Sequence, residues 1–120
     1  MSLTADPGGE VTLETVRRIA CALPGVEEGL SYGTAAFRVR KKFLARIHDS
    51  GEALVLKVDP AKRAVLMETD PVTFYITDHY ANYPLVLVRL STVSASELAR
   101  LLEEAWRQEA PKRLVEAYAR

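Results

Sequence analysis

Between Ala35 and Val58, apolar residues recur at every second position in three successive runs, with turn-forming residues between them. A period of two marks strands that bury one face, and it excludes a helix over this stretch. The runs are Ala35-Phe37-Val39, Phe43-Ala45-Ile47 and Leu54-Leu56-Val58. The first two predict a β-hairpin. A two-residue turn at Lys41-Lys42 sets Arg40 opposite Phe43 and mixes the faces. A three-residue loop from Arg40 to Lys42 sets Val39 opposite Phe43 and Phe37 opposite Ala45, so the apolar faces agree and this register is expected. The turn Asp49-Ser50-Gly51-Glu52 then leads into a third strand, Ala53 to Val58.

Helices flank these strands. Thr12 caps a helix carrying Leu13, Val16, Ile19, Ala20 and Leu23 at helical spacing, which Pro24-Gly25 stops. The stretch from Glu27 to Thr34 has no periodicity and reads as a loop. Asp59-Pro60 opens a helix to about Glu68, with Val65 and Leu66 facing inward. Strands follow near Thr73 to Ile76 and from Leu85 to Leu90, joined by an aromatic-rich loop from Thr77 to Pro84. Ser94 and Glu97 form a capping box ahead of Leu98, Leu101, Leu102, Ala105 and Trp106. Pro111 interrupts, and Leu114, Val115 and Tyr118 mark a last short helix. The expected fold is α+β: a single antiparallel sheet of about five strands, with N-terminal and C-terminal helices on one face.

A chain of 120 residues suits one domain, residues 11–120, preceded by a flexible polar arm, residues 1–10. Lys plus Arg and Asp plus Glu each total 16, so the chain has no overall field that would hold it to nucleic acid or an anionic membrane. Any such binding needs a local patch. No apolar run reaches the ~20 residues that span a bilayer. The single cysteine, Cys21, excludes an internal disulfide. A cytoplasmic protein is expected, with no membrane association and no cofactor.

Several stretches taken in order resemble the MmcQ/YjbR family: Gly33-Thr34-Ala35-Ala36-Phe37-Arg38-Val39, Leu54 to Pro60, Thr77 to Pro84, Glu104-Ala105-Trp106 and Ala110-Pro111-Lys112. The resemblance runs from about Gly29 to Tyr118. It implies a frataxin-like fold and a role in DNA binding, the label that family carries from fold comparison. That family often has Gly in the first hairpin turn, where this chain has Lys41. A lysine held at positive φ there would carry modest strain.

Arg38, Arg40, Lys41, Lys42 and Arg46 form the one dense basic cluster, with Arg38 and Arg46 on the sheet face away from Phe37 and Val39, where Lys57 can join them. Several cations held together suit phosphates. The alternative is a solvated strand face whose charges protect a sheet edge. His79, Tyr80 and Tyr83 concentrate ring faces, donors and acceptors in the Thr77–Pro84 loop and are the candidate ligand-binding set. The alternative there is aromatic packing of the loop onto the core.

No catalytic residues are assigned. Cys21 with His48 or His79 matches no nucleophile–base signature, and a small buried thiol is expected. His48-Asp49 and Asp78-His79 lack metal-ligand spacing, and Glu10 and Glu14 with Arg17 and Arg18 close behind make no acidic iron ridge, so no metal site is assigned. Leu44, Val55, Leu85 and Leu87 point away from the core set, leaving an apolar outer face for an interface or for the C-terminal helix. Two functions follow. One is a non-enzymatic module contacting DNA phosphates through the basic hairpin. The other is a module for a protein partner, self-association or a small ligand, using the sheet face and the loop of His79, Tyr80 and Tyr83.

Overall fold

The computed structural model describes residues 11–118, so the expected arm at residues 1–10 lies outside the described residues. The elements in chain order are α1 (Leu13–Cys21), β1 (Val26–Ser31), β2 (Thr34–Val39), β3 (Lys42–Ile47), β4 (Ala53–Lys57), α2 (Pro60–Thr69), β5 (Phe74–Tyr75), a 3₁₀ turn at Asp78–Tyr80, β6 (Leu85–Arg89), α3 (Ala95–Glu109) and α4 (Lys112–Tyr118). The strands form one six-stranded antiparallel sheet in the order β1-β2-β3-β4-β6-β5.

The helix starts follow the expected N-cap chemistry, although Ser94–Glu97 forms only half of the expected capping box and the complete box is at Thr12–Thr15. Thr12 Oγ1 accepts the Thr15 N–H at 3.3 Å, Asp59 Oδ1 the Lys62 N–H at 2.9 Å, and Ser94 Oγ the Glu97 N–H at 3.1 Å. Val16 and Ala20 of α1, Leu66 of α2, and Leu98, Leu102 and Trp106 of α3 are buried in one cluster with Phe37, Val39, Ile47, Leu54, Leu56, Val86 and Val88 of the sheet. Leu114 and Val115 of α4 pack against the same cluster. Trp106 Nε1 donates to the Pro24 carbonyl at 2.8 Å, tying α3 to the turn after α1. In α2 only Leu66 is buried, while Val65, expected inward, is 54% exposed. The two are adjacent, and about 100° of rotation between neighbours lets a helix lying on one face bury just one of them.

Two corrections concern the sheet. Residues Glu27 to Ser31 belong to β1, an edge strand, rather than to a loop. It lacks alternation because its central residues are all exposed, and its pairing with β2 supplies the order. A tight turn closes that pair, with Tyr32 at φ 53° and Gly33 at φ 82°.

The second correction is the β2–β3 register. Phe37 stands opposite Ala45 as expected, but Arg38 pairs with Phe43 and Val39 with Lys42. Leu44 is therefore an extra residue in β3, a bulge. Arg40 at φ 50° and Lys41 at φ 72° form a two-residue turn, the left-handed geometry that matches strand twist. This turn alone would mismatch the apolar faces. The bulge restores them by sending Leu44 into the main core, fully buried, and turning Phe43 to the outer face.

On that outer face a second cluster contains Ala53, Val55, Tyr80 and Leu87, with Phe43, Tyr75 and Leu85 packed around it. Loop 77–84 covers this apolar surface, through Tyr80, while α4 packs on the other side of the sheet.

Candidate functional site

The outer face bears a cleft whose parts come from four places in the chain. Ser31 and Tyr32 on the β1–β2 turn form one wall, and His79, Tyr80 and Tyr83 of loop 77–84 form the other. Phe43, Val55 and Leu85 make the floor, with Arg46 between them. Its volume is about 320 Å³, at the lower end of what small-ligand sites occupy. A second recess opens beside it, lined by Tyr32, Arg46, His48, Asp49, Thr77, His79 and Tyr80, so the two share their central side chains.

Arg46 is only 7% exposed although it stands on the outer face. Its Nη2 donates to the Tyr80 hydroxyl at 2.8 Å, while Nη1 reaches Thr34 Oγ1, the Ile47 carbonyl and Asp49 Oδ1, each at 3.2 Å. The guanidinium carbon lies 5.2 Å from the Tyr32 ring centroid, a cation–π distance. Tyr80 is the keystone of the opposite wall. It is 6% exposed, and its ring meets His79 edge-on with centroids 4.7 Å apart. Bonding to Arg46 satisfies the hydroxyl of this buried tyrosine.

Arg63 of α2 holds the loop in place. Its Nη1 donates to the carbonyls of Tyr83 at 2.9 Å and Leu85 at 3.2 Å, and its Nη2 to that of Ala81 at 3.2 Å. Three backbone carbonyls at the end of the loop and the start of β6 are thereby gathered on one guanidinium.

A family model described as YjbR matches residues 21–108. This chain belongs to the YjbR family. All residues lining the first cleft fall inside the matched span. Uncharacterised proteins of Mycobacterium bovis and Mycobacterium tuberculosis are each 37% identical to this YjbR chain over 70 residues, 58% of it and 54% of the relative. The match thus spans about half the length of those relatives. The crystal structure of Deinococcus radiodurans protein DR2400, whose family-model domain is DUF419, superimposes with a TM-score of 0.69 at 27% identity. It covers 82% of this chain and 78% of that one.

In this YjbR domain the expected basic cluster is dispersed. Arg46 is buried in the cleft. Lys57 Nζ is ion-paired with Glu109 of α3 at 3.3 Å. Arg38 is half-buried on the outer face, directly across from Glu27 of β1. Lys42 pairs with Val39, so it starts from the opposite, helix-bearing face. Arg40, Lys41 and Lys42 are exposed at the hairpin tip. The structure does bring His79, Tyr80 and Tyr83 together in the cleft.

Sequence reasoning missed Tyr32, Phe43 and Arg63. Tyr32-Gly33, a turn-type dipeptide between two strands, is the signal that could have found the first; Phe43 depends on the bulge, and Arg63 has no local signal.

Cys21 is exposed rather than buried, and it lies in α1, across the sheet from His48 and His79. Partial desolvation raises its pKa, which disfavours the thiolate. Among the described residues, no three His, Cys, Asp or Glu side chains converge as metal ligands, and no helix is long and apolar enough to cross a membrane.

Proposed function

We propose that this chain is a cytoplasmic, non-enzymatic ligand-binding domain whose receptor is the outer-face cleft around Arg46. The observation that carries this is an arginine, Arg46, only 7% exposed in a recess whose other members are mostly rings and aliphatic side chains. Few polar groups placed among apolar walls is the usual composition of a small-molecule site. Among the described residues, no hydroxyl lining this cleft is hydrogen-bonded to His79, and the chemistry proposed is recognition rather than turnover. The test is a fragment titration followed by ¹H–¹⁵N correlation spectra. Shifts concentrated at Tyr32, Phe43, Arg46 and residues 79–85 support the reading, and fragments that shift only residues elsewhere refute it.

A second reading rests on the exposed tip. Arg40, Lys41 and Lys42, with Arg38 beside them, would contact DNA phosphates. Four neutralised phosphates on duplex DNA give a slope of roughly −3.6 in log affinity against log salt. Fluorescence anisotropy with labelled duplex at two salt concentrations measures it. Salt-insensitive or negligible binding at low salt refutes this reading without touching the first.

A further inference from the structure

We propose that the cleft selects a planar ligand bearing a carboxylate, with Arg46 as the group that receives the anion; this rests on the ligand-binding reading above.

A guanidinium has five N–H groups. Among the described residues, all the protein acceptors of Arg46 lie on Nη1 and Nη2, with three sharing Nη1 and Tyr80 alone on Nη2. Nε–H therefore has no acceptor, and Nη2 has one hydrogen left over. No buried side-chain nitrogen or oxygen among the described residues lacks a partner, so this unbonded Nε is reached by solvent rather than sealed in protein. The open donor belongs to a side chain more than nine-tenths buried that lines the cleft.

The same chain shows what a carboxylate does with such an edge. Arg17 Nε and Nη2 grip the two oxygens of Glu28 at 2.6 and 2.9 Å, a side-on fork. On Arg46 the Nε member of that pair is unoccupied and Nη2 is half-used.

Charge points the same way. The first cleft has no carboxylate in its lining. The nearest anion to Arg46 is Asp49, whose side chain is 70% exposed, and a pair so solvated compensates the buried guanidinium weakly. An anion arriving from the cleft would complete it in a drier setting, where charge-assisted bonds are strongest.

Planarity follows from the walls. Tyr32, 87% exposed with Arg46 against its ring, and Tyr83, 56% exposed, bring aromatic surface to a cleft floored by Phe43, Val55 and Leu85. About 320 Å³ has room for one or two rings and a carboxylate rather than a polymer segment. A cationic ligand would meet a guanidinium that its exposed partner Asp49 compensates only weakly, and a neutral acceptor such as an amide carbonyl would pair Nε–H without charge assistance.

The experiment titrates the full chain with benzoate, benzamide and benzylamine, reading backbone shifts and the Arg46 Nε–H resonance. Benzoate is expected to bind about tenfold or more tightly than benzamide and to shift the Nε–H signal downfield, with benzylamine not engaging. Tyr32→Ala, at a position 87% exposed, is expected to weaken benzoate several-fold, with its fold checked by the same spectra. Arg46→Lys keeps the charge but not the fork and should abolish the preference over benzamide. Because Arg46 also supports the fold, the wild-type comparison and the Nε–H signal decide the matter if that variant does not fold. Benzamide binding the cleft as tightly as benzoate overturns the carboxylate assignment while leaving the ligand-binding reading standing. No response at the cleft to any of the three probes overturns both.

Discussion

Replacing Arg46 by methionine tests whether this residue is a component of the fold or a solvated surface cation. Methionine keeps most of the stem volume, so little cavity is opened. What is lost is the Nη2 bond to the Tyr80 hydroxyl, a buried contact at 2.8 Å. A bond to a charged donor is worth about 1.5–3 kcal/mol. The three acceptors on Nη1 share two hydrogens near the rim and add about 1 kcal/mol together. Relief of the guanidinium's desolvation offsets part of this sum. The net expectation is a loss of about 2 kcal/mol. For a chain of this size that corresponds to roughly 8 °C in Tm, or about 1 M in the urea midpoint. Thermal and urea unfolding followed by circular dichroism measure it, with Lys42→Met as the exposed control, expected within about 0.5 kcal/mol of the parent. Equal, small effects for both variants would refute the placement of Arg46 and the cleft built on it.

Three other outcomes are expected. Lys41→Gly should stabilise the protein by about 0.5–1 kcal/mol in urea titrations, because left-handed strain of about 1–2 kcal/mol at φ 72° exceeds the added chain entropy of glycine. Arg63→Ala should remove the side-chain donor shared by the Ala81, Tyr83 and Leu85 carbonyls and raise amide exchange in residues 81–85 by about tenfold, while exchange in α3 stays within a factor of two or so. Glu28 has its pKa lowered chiefly by its hydrogen bond to Arg17, so its stabilising contribution is present above the ordinary glutamate range and is lost as pH falls through the depressed folded value. Glu28→Gln should therefore flatten the fall in stability that the parent shows below about pH 4.5, read by unfolding midpoints across pH 3 to 7.

Local patterns carried most of the architecture. Thr12, Asp59 and Ser94 marked helix starts because a cap is a contact between residues three apart, written entirely in adjacent sequence. The alternation from Ala35 to Val58 marked three strands for a similar reason: one buried face imposes its period directly. β1 escaped because both of its faces are largely in solvent, and a strand held mainly by backbone bonds to β2 and the Arg17–Glu28 ion pair leaves no apolar signature. Of the site, His79, Tyr80 and Tyr83 were legible as a cluster because they are neighbours in one loop.

What the sequence determined by itself was therefore the α+β class, the meander at the centre of the sheet and the family. What only the tertiary structure decided was the meaning of individual side chains on the outer face. Arg38, Arg46 and Lys57 look alike as cations in the sequence, yet Arg46 is bonded to Tyr80, 34 positions away, Lys57 is paired with Glu109, and Arg38 stays half-buried across from Glu27. Phe43 and Leu44 exchanged faces through a single unpaired residue. Burial and partnership depend on what the chain brings back from a distance, and period-two patterning assigns faces only where the register stays regular and does not say what will cover them.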